Sequence, residues 1–310
     1  MGISLLSKPG SELTTMQNRN KGNAQGIDVS HHQGVINWAK VAASGISFAF
    51  IKATQNSMDP QFLANVKGAK AAGLLIGAYH YLDDKVTTVD MARAAAQTFF
   101  KAIVAAGGVD VFDLPFVLDY ESNENKLTAL AITAIAKAFM EEVQRYTGRV
   151  PMLYTYPEFI KNFSGLTKYP LWIARYSNQV PVDASGWRRW EFWQYSDGSV
   201  GGMLPTGGRS VPGIAGPVDL NEFDGTVEQV YARYGKKQTG KDNDEVTKQD
   251  YEALDKRIAK VEEVNKLVPA PKWFVLEFGS ADLNGLIAQP EFTAEGWRTL
   301  AVGMRALNKK

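Results

Sequence analysis

The sequence predicts an irregular, TIM-like (β/α) barrel of the α/β class, followed by a small, mainly helical C-terminal domain. Between residues 26 and 235, eight short segments rich in β-branched and aromatic residues alternate with helical segments, which is typical of a parallel barrel. A polar run from Gly235 to Glu245, which contains no apolar residue, separates this part from the remainder. The 310 residues are enough for both parts, and the hydrophobic fraction of 45% is that of a globular protein.

The predicted barrel strands follow one another in a regular order. They are residues 26–30, 47–54, 74–82, 115–121, 150–156, 170–177, 190–196 and 217–223. Helices are predicted at 60–72, 88–106 and 127–147, and Gly148 follows the last of them as a stop signal. The connections after the sixth and seventh strands are short or rich in Gly and Pro, so we expect some barrel helices to be missing.

Polar segments flank the predicted barrel on both sides. Residues 1–25 are rich in Gly, Ser, Thr and Asn and predict a loosely ordered leader, to which we assign no function. Residues 236–245 predict a linker that leads into a C-terminal domain at 246–310.

The C-terminal domain begins with a heptad pattern and continues with two helices around a turn. The heptad positions are Tyr251, Leu254, Ile258, Val261, Asn265 and Val268. We expect this helix to pack within its own domain, and the alternative is a homodimer formed through residues 247–268. Four aromatic residues, expected in the core although they could stack on sugars, are Trp273, Phe274, Phe278 and Trp297.

Composition excludes several classes of partner and site. Lys and Arg total 34 against 33 Asp and Glu, so the net charge of +1 argues against nucleic acid or an acidic membrane as partner. The absence of Cys excludes disulfides, thiol catalysis and thiolate metal sites. No run of 18 apolar residues and no secretory signal occurs. We therefore expect synthesis in the cytoplasm and release to any external target by another route.

Four acidic residues lie in or at the ends of predicted strands: Asp28, Asp119, Glu121 and Asp219. Reacting groups of (β/α) barrels lie at the carboxyl ends of the strands, and a charge there is costly unless it is paired or used. Asp119 and Glu121 are separated by one residue, so in a strand both side chains face the same side. Their Cα atoms lie about 6.6 Å apart at a rise of roughly 3.3 Å per residue. Their repulsion raises one pKa, which suits the two carboxylates of glycoside hydrolysis. The alternative is a pair that simply faces solvent.

Aromatic residues in the same strands suit a sugar substrate, because sugar rings stack on Tyr and Trp. The substrate-binding candidates are Tyr79, Tyr81, Tyr154, Arg175, Trp193 and Gln194. About half of the strand aromatics are expected to be core residues instead, since the interior of a barrel must be filled. We expect His31 and His32 to serve loop structure or line the wall, and His80 to point away from the face used by Tyr79 and Tyr81.

The chain resembles the glycoside hydrolase family 25 lysozymes over residues 26 to 234. The matching motifs, in order, are Gly26-Ile-Asp-Val-Ser-His-His-Gln-Gly, Ile36-Asn-Trp38, Phe48-Ala-Phe-Ile-Lys-Ala-Thr, Gly77-Ala-Tyr-His-Tyr, Leu118-Asp-Tyr-Glu, Leu171-Trp-Ile-Ala-Arg-Tyr, Phe192-Trp-Gln-Tyr and Val218-Asp-Leu-Asn. The resemblance implies a flattened barrel and an N-acetylmuramidase that cuts peptidoglycan between N-acetylmuramic acid and N-acetylglucosamine with retention. It places the catalytic Glu of the family on Glu121 and its acidic partners on Asp28, Asp119 and Asp219.

The two-part organisation is also similar to that of bacteriophage endolysins, in which the second part binds the cell wall. The resemblance implies bacterial peptidoglycan as partner and no cofactor. The C-terminal part shows no wall-binding repeat that identifies its ligand. Such an enzyme would be made in the host cytoplasm and would act on the wall after release.

The expected mechanism uses Glu121 to protonate the glycosidic oxygen. Asp119 acts as direct nucleophile or orients the 2-acetamido group of the substrate, and the sequence does not separate these roles. Three alternatives remain. A chitinase-like glycosidase lacks support because Val117 and Leu114 stand where its further Asp residues belong. A divalent-metal hydrolase is the second alternative. The chain contains no His-x-His or His-Glu-x-x-His pattern that would support it, so we expect no metal. A non-catalytic glycan-binding protein would have lost at least one of the four acids.

Overall fold

The computed structural model describes residues 16–177, 179–181, 185–199, 208–235, 266–287 and 290–307. The chain divides into two compact units, Met1–Lys237 and Gln238–Lys310. The predicted linker at 236–245 and residues 247–265 of the heptad segment lie outside the described residues.

The first unit is a closed eight-stranded barrel, which confirms the predicted fold class. Its strands, in chain order and in order around the barrel, are β1 (Gln25–Val29), β2 (Ile46–Thr54), β3 (Leu75–Tyr81), β4 (Phe116–Asp119), β5 (Met152–Thr155), β6 (Leu171–Ala174), β7 (Phe192–Ser196) and β8 (Asp219–Phe223). Each predicted strand is present, although β3 to β8 are two to four residues shorter than their sequence patterns. β4 and β6 end before Glu121 and Arg175, whose side chains line a cavity at the mouth of the barrel.

Helices cover the outside of most of the barrel. They are α1 (Trp38–Ala43), α2 (Phe62–Ala71), α3 (Val89–Ala105), α4 (Ala129–Thr147), α5 (Pro157–Ile160) and α6 (Val227–Tyr234). The long helices start where Thr side chains accept from the backbone: Thr88 caps α3, and Thr128 caps α4, which ends at the left-handed Gly148. The described parts of the β6–β7 and β7–β8 connections contain no helix, as predicted.

One strand runs against the predicted direction. β1 to β7 pair in parallel, but β8 is antiparallel to both β7 and β1. The prediction of an all-parallel barrel is therefore wrong at β8. Its consequence is that Asp219, the first residue of β8, lies at the same end of the barrel as the last residues of the other strands, where it pairs in register with Asp28. Asp219 therefore lies at the mouth as predicted, but at the amino end of its strand and not at the carboxyl end.

Alternating residues of the strands face two separate cores. Outward residues such as Ile27, Ile51 and Leu118 pack against the helices. Inward residues fill the barrel itself with large rings, among them Phe50, which stacks on Trp172 with ring centroids 4.4 Å apart. This alternation decides which side chains near the mouth face the interior.

Residues 16–24 are not the loosely ordered leader that their composition predicts. Met16, Asn23 and Ala24 are buried, and the Gln17 amide donates to Asp224 while the Trp190 indole donates to the Gln17 carbonyl oxygen at 2.9 Å. Polar side chains mislead here because they hydrogen-bond to the barrel rather than to water. Residues 1–15 of the predicted leader lie outside the described residues.

The second unit contains a two-stranded antiparallel sheet, β9 (Val268–Pro269) with β10 (Glu291–Phe292), and the helices α7 (Lys272–Phe278) and α8 (Ala294–Leu307). Its core is built from Phe274, Leu283, Trp297 and Ala301, with Phe278 packed against them, as expected for these aromatics. Trp273 differs from that expectation, because its side chain is 40% exposed. None of the helices in the described parts of either unit has the length and apolarity needed to cross a membrane.

Candidate active site

The four acids predicted from the sequence gather at one mouth of the barrel. Asp28 and Asp119 end the inward faces of β1 and β4, Asp219 starts β8, and Glu121 follows β4 by two residues. Asp28 and Asp119 are each only 7% exposed. Burial comes first among the causes that raise the pKa of each of the four, and repulsion from another of these acids contributes in every case except that of Asp28. The mouth therefore holds protons at pH values where exposed carboxylic acids have lost them.

Asp28 is held by two side-chain amides. Gln194 Nε2 and Asn221 Nδ2 donate to Asp28 Oδ2 at 2.8 and 2.7 Å. The Trp172 indole N–H donates to Asn221 Oδ1 at 2.8 Å, so the Asn221 amide can present only its NH₂ group to Asp28. Burial raises the pKa of Asp28 to about 6, and the two amide bonds oppose that rise because they favour the charged form. Asp28 is thus ionised at neutral pH and fixed in position.

Gln194 is oriented in the same way by hydroxyl groups. Tyr154 and Tyr176 hydroxyls donate to Gln194 Oε1 at 2.8 and 3.0 Å, which directs its NH₂ group to Asp28. The Tyr176 hydroxyl also lies 3.3 Å from Asp219 Oδ1. Burial and the charge of Asp28 raise the pKa of Asp219 to about 8. Asp219 therefore carries a proton near neutral pH, while its neighbour Asp28 does not.

Asp119 and Glu121 form the second part of the cluster. Burial, followed by the charge of Glu121, raises the pKa of Asp119 well above its usual range. Burial and the charge of Asp28 raise the pKa of Glu121, and hydrogen bonding to the Tyr154 hydroxyl opposes this. Asp119 Oδ1 is buried and has no hydrogen-bond partner in the described part of the chain. The pair can therefore hold one proton, and Asp119 keeps an acceptor oxygen that no described residue uses.

The aromatic candidates divide between the two faces of the strands. Tyr79 and Tyr154 face the interior, where both pack edge-on against Trp172. Tyr81 lies on the same face of β3 as Tyr79 and is half-buried at the mouth. Trp193 was predicted to bind substrate, and this prediction is wrong. Its ring is fully buried in the outer core, and its indole N–H donates to the Arg175 carbonyl oxygen at 2.9 Å.

A cavity of about 420 Å³ opens directly beside Glu121. Tyr154, Arg175 and Tyr176 line it, so the structure brings Arg175 to the acids as predicted. A larger cavity of about 1050 Å³ lies at the opposite end of the barrel, where Leu171 begins β6 and Phe223 ends β8. It contains none of the four acids, so we place the active site at the smaller cavity.

The histidines lie outside the acid cluster. His31 lies in the turn after β1 and is exposed. Its Nδ1 is 2.6 Å from Oδ2 of Asp59, which follows β2. His80 points outward, stacked on Phe139, and burial lowers its pKa to about 3. No group of three or more His, Asp or Glu side chains among the described residues is arranged to hold a metal ion.

Sequence reasoning missed two inward-facing polar residues of the mouth. Asn221 shares its strand face with Asp219, two residues away, and Lys52 shares its face with Phe50. Period-two alternation from the residues already chosen would have identified both. It would also have rejected Trp193, because neighbouring residues of one strand cannot both face the site and Gln194 does so.

The comparisons with known proteins point to one family. Residues 27–203 match the family described as Glycosyl hydrolases family 25. The uncharacterized protein YegX of Escherichia coli (strain K12) is 38% identical over 216 residues, 67% of this chain and 72% of that protein. Lysozyme M1 of Streptomyces globisporus is 32% identical over 236 residues, 72% of this chain and 75% of that one. The crystal structure of a bacterial lysozyme from Streptomyces coelicolor superposes with a TM-score of 0.59 at 32% identity, over 70% of this chain and 99% of that chain.

Proposed function

Because this chain belongs to glycosyl hydrolase family 25 and is a glycoside hydrolase acting on peptidoglycan, we propose that it is a 1,4-β-N-acetylmuramidase. It cuts between N-acetylmuramic acid and N-acetylglucosamine, with retention at the anomeric carbon. The observation that carries this proposal is the mouth of the barrel, where Glu121 lines an open cavity, and where burial and the charge of Glu121 raise the pKa of the neighbouring Asp119.

Glu121 is the proposed general acid. It lines the cavity, so a glycosidic oxygen placed there can reach its carboxyl group. Its raised pKa supports a protonated side chain in the working pH range, which an acid catalyst requires. Asp28 and Asp219 tune this ionisation and hold substrate hydroxyls, while Tyr79, Tyr81, Tyr154, Gln194 and Arg175 form the walls of the proposed subsite.

Asp119 is proposed to assist at the anomeric centre. Its carboxyl group either attacks the anomeric carbon or accepts the N–H of the 2-acetamido group and orients that group for attack.

We further propose that the protein acts as a phage endolysin, made in the host cytoplasm and acting on the wall after release. The second compact unit supports this role, since a separate unit can hold the enzyme on its polymeric substrate. That unit is proposed to bind the cell wall, and the alternative is that it forms a homodimer through residues 247–268.

Substitution of Glu121 by Gln tests the assignment. Glu121→Gln is expected to lower kcat on purified peptidoglycan by a factor of about 10²–10⁴, because the proton donor is removed while the side-chain shape is kept. The matched control is Glu124→Gln, an exposed carboxylate on the same loop, which should retain parental activity. Circular dichroism of both variants checks the fold. Near-parental lysis by a folded Glu121→Gln protein would contradict the proposed role.

A further inference from the structure

Lys52 is the single Lys or Arg within the eight barrel strands, all of whose residues are described. It continues the inward face of β2 after Phe48 and Phe50, which places its side chain at the mouth of the barrel. Four carboxyl groups share that mouth with this one ammonium group. The position of its charge therefore affects the ionisation of these carboxyl groups more than the charge of a surface lysine would.

Two contacts hold the ammonium group in place. Lys52 Nζ donates to Gln55 Oε1 at 3.0 Å and lies 4.8 Å from the centre of the Tyr81 ring. Tyr81 is the register partner of Asp119 on the neighbouring strand. The ammonium group therefore lies near the ring of a residue that pairs with Asp119.

The Gln55 amide is itself oriented by a carboxylate. Gln55 Nε2 donates to Asp83 Oδ2 at 2.8 Å, and an ionised carboxylate can only accept. Asp83 is fixed in turn by the Lys85 backbone N–H at 3.0 Å and by Asn56 Nδ2 at 2.9 Å. The hydrogen bonds from Lys85, Gln55 and Asn56 lower the pKa of Asp83, which keeps it ionised. The amide oxygen of Gln55 consequently faces Lys52.

We propose that Lys52 is the counter-ion of the Asp119–Glu121 pair and that Gln55, oriented by Asp83, is the positioning residue that holds it there. The inference rests on the proposed function of that pair. In support, the charge of Lys52 lowers the pKa values of Asp119 and Glu121 and so opposes their burial.

Other ionisable groups face the same region and must be considered in any pH profile. They are Asp28 from β1, Tyr79 and Tyr81 from β3, Asp83, Asp84 and Lys85 from the loop after β3, Tyr154 from β5, Arg175 and Tyr176 after β6, and Asp219 from β8. The pKa values of the four tyrosines are raised, and His80 behind β3 stays neutral with a pKa of about 3. Substitution of Gln55 leaves all of these residues in the chain.

The direction of the effect follows from the sign of the charge. A cation favours the ionised forms of both acids, so its displacement raises both pKa values. The acidic limb of the pH profile, where an ionised carboxylate appears, and the basic limb, where the acid catalyst loses its proton, then move to higher pH together.

The experiment compares the pH dependence of kcat and KM for the full-length parent and three variants on purified peptidoglycan. Gln55→Leu removes the bond to Lys52 but keeps a side chain of similar size. Asn56→Leu removes only one of the bonds that fix Asp83 and leaves Gln55 and Lys52 in place, so it serves as a graded comparison. Lys52→Met removes the charge itself, and thermal unfolding of each variant checks the fold.

We expect both limbs of the Gln55→Leu profile to move up by roughly half a pH unit or more, with a several-fold loss of kcat at the parental optimum and little change in KM. Lys52→Met should move them further, and Asn56→Leu should move them less than Gln55→Leu does. Identical profiles for Gln55→Leu and the parent, or equal losses in Gln55→Leu and Asn56→Leu with unmoved limbs, would overturn the inference. Failure of the proposed function would show separately, as an active Glu121→Gln variant.

Discussion

At the scale of single residues, the site is built by side chains that orient one another. The orientation of each amide is set by a partner that can only donate or only accept. The Trp172 indole N–H orients the Asn221 amide, and the Asp83 carboxylate orients the Gln55 amide. Each amide then presents one definite group, an NH₂ to Asp28 and an oxygen to Lys52. Oriented amides allow neighbouring carboxyl groups to differ in ionisation although all of them are at least partly buried.

The buried acids make the stability of the barrel depend on pH. The pKa of Asp219 is about 8 in the folded protein against an ordinary 3.8, so the folded state keeps a proton that the unfolded state loses. Stability from this group is therefore full below about pH 4 and falls as the pH rises toward 8. Asp219→Asn should remove that loss.

We expect Asp219→Asn to raise the melting temperature at pH 8 by at least about 2–4 °C, which corresponds to roughly 1 kcal/mol, and to leave it unchanged near pH 4. Differential scanning calorimetry at pH 4, 6 and 8 measures this, with Glu124→Gln as an exposed control that should show no such trend. A variant that is no more stable than the parent at pH 8 would contradict the raised pKa.

The sequence predicted the four acids but missed two of their partners, Asn221 and Lys52, for a physical reason. A charge after an apolar strand is conspicuous, because it is costly to bury. Asn221 and Lys52 are ordinary polar residues whose importance depends on which face of the strand they occupy. Trp193 shows the opposite error, since an aromatic residue suits the outer core of a barrel as well as a sugar subsite.

At the scale of elements, strand existence was predictable and strand direction was not. Hydrophobic alternation has the same period in either direction, so the pattern of residues 217–223 predicts β8 without revealing that it is antiparallel. Direction is set by the connection between β7 and β8. Parallel neighbours need a crossover, usually helical, and none of the described residues between β7 and β8 forms a helix.

The close packing of neighbouring strand residues inside the barrel gives a test at this scale. A Cβ atom at Gly77 of β3 would lie 2.5 Å from the Phe50 ring and 3.0 Å from Leu114 Cβ. Gly77→Ala should therefore destabilise the protein by about 1–3 kcal/mol in urea unfolding. Gly22→Ala is the matched control, because its Cβ would meet only Asn20 Oδ1 at 3.6 Å, and it should be near neutral. Equal stability of both variants would contradict the packing of the inner core.

At the scale of the whole molecule, the proposal assigns catalysis to the first unit alone and wall binding to the second. All four acids and the cavity beside Glu121 lie in the unit that ends at Lys237. A protein ending at Lys237 should cut small soluble peptidoglycan fragments at the parental rate but sediment less with insoluble walls. Light scattering of both proteins tests the alternative, in which the full chain is a dimer and the shortened one is a monomer. Unchanged wall binding together with a monomeric full chain would contradict both roles.

The central claim is the bond that this enzyme cuts, and product analysis tests it most directly. Purified peptidoglycan is digested with the full-length protein, the products are reduced with borohydride, and the new sugar ends are identified by mass spectrometry. Parallel digests with excess chelator and with Glu121→Gln serve as controls. New muramitol ends that form in chelator and are absent with Glu121→Gln are the predicted result. New glucosaminitol ends would contradict the muramidase assignment, and no new ends would favour a protein that binds glycan without cutting it.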